Sequence, residues 1–203
     1  MAIKGLENSP EAIKAGVRVL IRAFASDPLW VYVFPESGQR QKKLGSVFEF
    51  LVRFGLKRGW VETLAQSRGL AVWLPDQYAR PGIWDSISGR GWSIPFQTGL
   101  GPLRRMLRVE RFIFQLQRQL IFRPHQYLAL VGVELECQNM GLGTRLVRQG
   151  IERCQRLGLP VYLETTNRKN LGFYQRLGFR LVKTTQIPLT PVAVQCLIFE
   201  HRD

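Results

Sequence analysis

The chain of 203 residues carries 29 Lys+Arg against 15 Asp+Glu, a formal net charge of +14, with 45% hydrophobic and 22% charged residues. This is the profile of an ordinary soluble globular chain, by default one domain and large enough to bury a core without staples. Cys137, Cys154 and Cys196 are widely spaced with no C-x-x-C pair, and His125 and His201 are the only histidines. Those counts argue against a disulfide framework, a zinc site or any His-based metal site, and for a reducing cytosol.

The charge excess fits nucleic acid, an anionic surface, an acidic ligand such as a nucleotide, or simply a solvated basic surface. The first residues, MAIKGLENSPEAIKAG, lack the apolar stretch of a signal peptide. No uncharged apolar run approaches the roughly 20 residues of a membrane span.

In chain order, Ser9-Pro10 reads as an N-cap followed by the first helical residue. Ile13, Val17, Leu20, Ile21 and Phe24 follow at helical spacing, and Asp27-Pro28 is expected to end that helix. Leu29–Pro35 (LWVYVFP) reads as an aromatic loop, either a hydrophobic plug or one wall of a substrate pocket. A second helix is predicted over Gln39–Lys57 with Gly59 as its stop, then a hairpin of strands Trp60–Ala65 and Leu70–Leu74. Asp76–Pro102, rich in Gly, Pro and Trp, carries no regular pattern.

Leu103 to about Phe122 returns to helical period. Residues 101–126 hold six Arg and one Glu, with Arg104, Arg108, Arg111 and Arg118 near one helix face. That face reads as solvated helix surface or as a nucleic-acid stripe lacking interleaved aromatics. Beyond it come a strand over Tyr127–Val133, an amphipathic helix, a strand over Val161–Thr166, and two more strands over Arg180–Gln186 and Val192–Glu200.

Gln138-Asn139-Met140-Gly141-Leu142-Gly143 is the turn from which the amphipathic helix starts, and glycine turns alone are common. Its context gives it meaning. An apolar strand feeds it, and a helix carrying Leu146, Val147, Ile151, Cys154 and Leu157 follows. Free amides at such a helix start converge on an anion, Gly141 and Gly143 allow close approach, and Thr144 adds a hydroxyl. No Gly-Lys-Ser/Thr follows, which excludes a Walker loop, and the G-x-G-x-x-G spacing of a dinucleotide fingerprint fails. The turn therefore points to a phosphate-bearing coenzyme of another kind.

Asn170-Leu-Gly-Phe173-Tyr174-Gln-Arg-Leu-Gly178-Phe179, placed after Leu163-Glu164-Thr165-Thr166, resembles the closing motif of the GNAT superfamily of acyl-CoA-dependent N-acyltransferases. With His125-x-Tyr127-Leu128, Val131-Gly132-Val133 and Gln138-x-x-Gly141-Leu142-Gly143, the match is closest to the puromycin N-acetyltransferase-like branch. It is strong over residues 125–183 and fainter over Phe24–Pro35 and Ala71–Leu74.

The resemblance implies an α/β (α+β) GNAT fold, a mixed central sheet of about six or seven strands flanked by helices. It implies one domain, with residues 1–102 forming the acceptor side and residues 125–183 the acetyl-CoA core. The pyrophosphate of acetyl-CoA would lie on Gln138, Asn139, Met140, Gly141, Leu142, Gly143 and Thr144. Its pantetheine arm would pair with the backbone of Val131, Gly132 and Val133, in a gap beside Val161–Thr166. Asn170 and Phe173 would contact the coenzyme, and Tyr174 would protonate the departing thiolate.

Acyl transfer to an amine requires a neutral amine, an N–H donor for the oxyanion and an acid for the sulfur, so this assignment is chemically consistent. A backbone N–H in Val131–Val133 can serve the oxyanion. Glu164 is the candidate base or amine-positioning group, with an ion pair to a neighbouring Arg as its structural alternative. Glu62 and His125 are weaker candidates, and Cys137 reads as packing.

The family usually has Pro, Gly and a basic residue where Leu135, Asn139 and Met140 stand, and its branch often has Trp at Gln126. Asn139 tolerates a left-handed backbone and so can keep the turn's shape. Met140 removes a positive charge facing the phosphates.

The expected reaction is direct acetyl transfer from acetyl-CoA to an amine. The acceptor side would comprise Phe24–Arg58 and Asp76–Pro102. Trp30, Tyr32, Phe34, Trp84, Trp92 and Phe96 point to a small molecule with apolar or aromatic surface, and the net charge counts against strongly cationic acceptors. No metal is expected, and the chain could act as a monomer or homodimer. The rival reading is a non-catalytic acyl-CoA-binding regulator or a basic nucleic-acid- or ribosome-associated module on the same scaffold.

Overall fold

The computed structural model describes residues 2–80 and 94–200, so Trp84 and Trp92 lie outside the described residues. Its strands are β1 (Ile3–Gly5), β2 (Trp60–Leu64), β3 (Gly69–Pro75), β4 (Gln126–Val133), β5 (Val161–Thr165), β6 (Arg180–Gln186) and β7 (Ala193–Phe199). They form one mixed sheet in the order β1-β2-β3-β4-β5-β7-β6. The β4–β5 pair is parallel, whereas the other neighbours are antiparallel.

The helices are α1 (Pro10–Phe24), α2 (Pro28–Val33), α3 (Ser37–Arg58), α4 (Ile94–Thr98), α5 (Leu100–Leu120), α6 (Leu142–Arg156) and α7 (Leu171–Arg176). One core lies between the sheet and α6–α7, built on Trp73, Leu128, Leu146, Ile151 and Leu163. On the opposite face, α1, α2 and α3 bury Leu20, Phe48, Val52, Leu70 and Val72. Beside them α5 covers Tyr162, Val194 and Cys196 with Val109 and Leu116. Helices on both faces of a sheet are the arrangement that hides all of its apolar surface.

Ser9 caps α1 as expected, its hydroxyl accepting from the Ala12 amide at 3.2 Å, with Pro10 in the first turn. The expected aromatic loop over Leu29–Pro35 is instead largely helical. Asp27 repeats the Ser9-Pro10 device: its carboxylate accepts from the Leu29 amide at 3.0 Å and opens α2 at Pro28. Trp30 and Phe34 from this segment are core residues, Trp30 packing edge-on against Phe48 at 5.3 Å between centroids. They are a plug, not a pocket wall, whereas Tyr32 is only partly buried.

Helix α5 begins at Leu100, three residues before the sequence expectation. Pro102 sits in its first turn, where a missing N–H costs nothing. Arg104, Arg108, Arg111 and Arg118 face solvent on its outer side. Gly59 does stop α3, through a backbone N–H bond to the Gly55 carbonyl at 2.9 Å.

The feature that matters most for function is where β4 leaves β5. Their ladder pairs Gln126 with Val161 and Tyr127 with Tyr162, and no further pair joins them among the described residues. On its other edge β4 slips register against β3: Leu128 faces Trp73, Leu130 faces Val72, and Ala129 is left over. Such a bulge bends a strand and increases its twist, which carries β4 away from β5. The bulge also resets the alternation, so that Leu128, Val131 and Val133 face α6–α7 while Tyr127, Ala129 and Leu130 face the opposite layer.

Candidate active site

Beyond Val133 the chain turns through Asn139 (φ +62°) and Gly141 (φ +74°), both left-handed, and enters α6. Asn139 therefore adopts the backbone that the sequence anticipated for it. Gly141 is the residue before the helix, and no side chain caps the α6 N-terminus among the described residues. The first amides of a helix have no intrahelical partner, so Leu142, Gly143 and Thr144 present N–H groups in one direction. The amide side chain of Gln138 donates to the Val133 carbonyl at 3.2 Å and ties the turn to the end of β4. Met140 is exposed.

A Cβ at Gly143 would lie 3.5 Å from the Phe173 ring and 3.6 Å from Val133, so the start of α6 packs directly on α7 and β4. Phe173 meets Tyr174 edge-on at 4.9 Å, and Tyr174 meets Phe179 at 5.7 Å. The Asn170 amide approaches the Thr165 hydroxyl at 3.4 Å. The glycine turn, Asn170, Phe173 and Tyr174 thus gather on the α6–α7 side of the parting strands.

Glu164 points to the other side. On β5, Leu163 packs toward α6–α7, whereas Tyr162 lies under α5 and Glu164 shares its face with Tyr127, Tyr162 and Cys196. Its Oε1 and the Tyr162 hydroxyl are buried without a hydrogen-bond partner among the described residues. Burial pushes the Glu164 carboxyl up to about 7, while the facing Tyr127 and Tyr162 hydroxyls favour its anion. A neighbouring arginine, the structural alternative for Glu164, is not among the groups acting on it.

Asp27 joins the two sides and was missed as a site residue, because its Pro neighbour was read only as a helix stop. It is 8% exposed and accepts from the Thr166 hydroxyl at 3.0 Å, fastening the start of α2 to the end of β5. Burial raises its pKa against the pull of Thr166 and the Leu29 and Trp30 amides. Burial and then the Asp27 charge raise the pKa of Tyr174, so this phenol keeps its proton. Through the parted strands a carboxylate from one layer therefore reaches the tyrosine of the other.

The weaker candidates lie elsewhere. Glu62 is buried on β2, its Oε1 accepting from Gln149 at 3.2 Å, with β3 and β4 between it and the gap. His125 is buried, its Nδ1 2.8 Å from the Arg123 carbonyl and its Nε2 2.8 Å from the Gln117 amide, so both ring nitrogens are engaged by the scaffold. Cys137 is packed in the α6 core. Among the described residues no cluster of three His, Cys, Asp or Glu could hold a metal ion. No helix among them is long and apolar enough to cross a membrane.

Residues 110–179 match the model of the acetyltransferase (GNAT) family. An uncharacterized N-acetyltransferase of Schizosaccharomyces pombe is 26% identical over 190 residues, which covers 88% of this chain and 74% of that one. Among solved structures, a protein of Corynebacterium glutamicum described as histone acetyltransferase HPA2 and related acetyltransferase superposes with a TM-score of 0.69. It is 22% identical, over 100% of this chain and 98% of its own. The polyamine N-acetyltransferase of Drosophila melanogaster superposes with a TM-score of 0.58 at 16% identity, over 98% and 100%. At these identities the structures speak for the fold. The fold is that of the GNAT acetyltransferases, and the stretch that carries the candidate site, residues 110–179, is similar to that family.

Proposed function

We propose that the protein transfers the acetyl group of acetyl-CoA directly to the amine of a small molecule with an apolar or aromatic surface, without a covalent enzyme intermediate. The observation that carries this reading is the parting of β4 from β5 after Tyr127 and Tyr162, with the uncapped start of α6 at its end. Two strands that stop pairing leave backbone donors and acceptors facing each other across a slot, and burial without partners is costly. A linear amide-bearing arm can satisfy them.

Acetyl-CoA supplies the thioester. The amides of Gln138 to Thr144 hold its pyrophosphate, and the free edge of Val131, Gly132 and Val133 pairs with the arm and offers an N–H to the oxyanion. Asn170 and Phe173 line the slot on the α7 side. Glu164, poised at about 7, takes the proton that an ammonium must lose before it can attack. Tyr174 gives its proton to the departing sulfur, and Asp27 fixes the α2 end of the slot opposite it. The match over residues 125–183 supports kinship with the puromycin N-acetyltransferase-like branch as part of this proposal. The three cysteines are free and buried, in keeping with a reducing cytosol.

The reading is tested by the release of free thiol from acetyl-CoA against a panel of small primary amines. Tyr174→Phe is expected to lower kcat about 100-fold while leaving the thermal stabilisation by acetyl-CoA intact. Unchanged turnover in that variant removes Tyr174 from the mechanism. Stabilisation by acetyl-CoA without thiol release from any amine points instead to a non-catalytic acyl-CoA-binding regulator.

A further inference from the structure

Helix α5 carries arginines on its outer face and one acid among its inner positions. Met106, Glu110, Ile113 and Gln117 follow at i+4, i+3 and i+4, and Glu110 is the only charged member of this row. Met106 and Ile113 pack into the two cores on this side of the sheet and Gln117 is buried, so the row faces inward. A carboxylate placed there is costly unless something compensates it.

Its partner among the described residues is weak. Arg80 Nε lies 3.7 Å from Glu110 Oε1, beyond hydrogen-bond distance, with the two side chains 40% and 36% exposed. A pair of this kind contributes little. The neighbours of Glu110, Val109 and Ile113, pack into the same core as Tyr127, and Glu164 and Glu110 are the two carboxylates whose charges act on that phenol. Two carboxylates thus flank one tyrosine on the face of β4 and β5 beneath α2 and α5. The buried Glu164 Oε1 and Tyr162 hydroxyl there have no partner among the described residues. Leu29, Tyr32, Phe112 and Ile113 supply apolar and aromatic surface around the cluster. Among the described residues the cations acting on these groups are Arg80 on Glu110 and Lys183 on Cys196, while Arg105, on the same helix, is engaged with the Val33 carbonyl at 2.9 Å.

The local field is therefore acidic inside a chain whose net charge is +14. Carboxylates with aromatic neighbours are a receptor for an alkylammonium ion, which binds both charge and ring faces. We propose that Glu110 is a specificity-determining residue that, together with Glu164, admits the acceptor as an alkylammonium ion attached to an apolar or aromatic body. This rests on the acceptor side assigned above. It assigns Glu110 to recognition at the outer end and Glu164 to deprotonation at the inner end.

The test uses a matched pair of probes, phenethylamine and phenethyl alcohol, titrated calorimetrically into the protein loaded with coenzyme A. The wild type is expected to prefer the amine about tenfold or more. Glu110→Gln is expected to remove most of that preference while leaving the alcohol and coenzyme A affinities unchanged, and Glu110→Asp to retain part of it. In the acetyl-transfer assay, Glu110→Gln should raise the KM for the amine rather than lower kcat. An unchanged preference in Glu110→Gln, equal loss of both probes, or no preference in the wild type each overturns the proposal. Loss of preference in a protein that transfers no acetyl group would sink the proposed activity and leave this site standing. Acetyl transfer with a KM indifferent to Glu110→Gln would do the reverse.

Discussion

Glu164→Gln is expected to lower kcat/KM about 100-fold or more at neutral pH and, at the same time, to make the fold more stable. Both effects come from one fact: burial holds this carboxyl at about 7, against 4.5 for a free glutamate. A proton acceptor poised near the working pH is well matched to deprotonating an ammonium. Below about 7 the group is protonated and cannot act. The wild-type profile of log kcat/KM should therefore carry an acid limb at that pH, and Glu164→Gln should lack it.

The sign for stability is the opposite of a salt-bridged acid. The folded pKa is raised, so the fold binds this proton more tightly than the unfolded chain does. The penalty is absent below the unfolded value of 4.5, grows as pH rises, and is complete above about 7. Its size is about 3 kcal/mol at 1.4 kcal/mol per unit. Glutamine removes the charge but buries an amide that needs partners, which returns part of the gain. The net expectation is about 1–2 kcal/mol at alkaline pH, vanishing towards pH 5, read from denaturation midpoints across that range. A variant less stable than wild type at alkaline pH would mean that the anion is satisfied in the fold and that Glu164 is a structural group. Strain of this kind, kept in a buried position, is what the proposed base costs its scaffold.

Much of this was legible in the sequence where the signal is local. Ser9-Pro10 announces α1, the glycine turn announces the start of α6, and Asn139 does take the left-handed backbone expected of it. The seven-stranded mixed sheet agrees with the fold implied by residues 125–183. What was not legible depends on partners distant in sequence. The three residues of β1 (Ile3–Gly5) have too little alternation to declare a strand, and pairing with β2 makes them one. Helix α2 was hidden because LWVYVFP has strand-like composition, and the Asp27 cap that overrides it looks like an ending when read from α1. The parting of β4 from β5 arises from a bulge at Ala129, a residue with no distinctive chemistry. Glu110 escaped notice among six arginines, since only the α5 contacts reveal that its row turns toward the sheet.

Gly150→Ala is the second change with a large expected effect, and two opposing terms decide it. Gly150 is buried inside α6, on the row Leu146, Val147, Gly150, Ile151 and Cys154. Helix propensity favours alanine there by about 1 kcal/mol. Against that, a Cβ at Gly150 would fall within the Trp73 indole. Trp73 is fully buried and cannot step aside, because Trp60 stacks on it at 5.7 Å and Arg153 covers Trp60 at 4.2 Å. Helix α6 must lift instead, and overpacking of this kind costs about 3 kcal/mol or more. The overlap is with ring atoms, not a flexible side-chain end, so the loss outweighs the gain by about 2 kcal/mol or more. The consequence extends to the site, because the amides of Leu142, Gly143 and Thr144 move with α6. Gly150→Ala should therefore lower the denaturation midpoint and weaken acetyl-CoA binding together. A variant as stable as wild type would show that the Trp60–Trp73 stack repacks freely. Weakened stability with unchanged coenzyme affinity would separate the seating of α6 from the phosphate turn and locate the coenzyme's hold in the β4 edge instead.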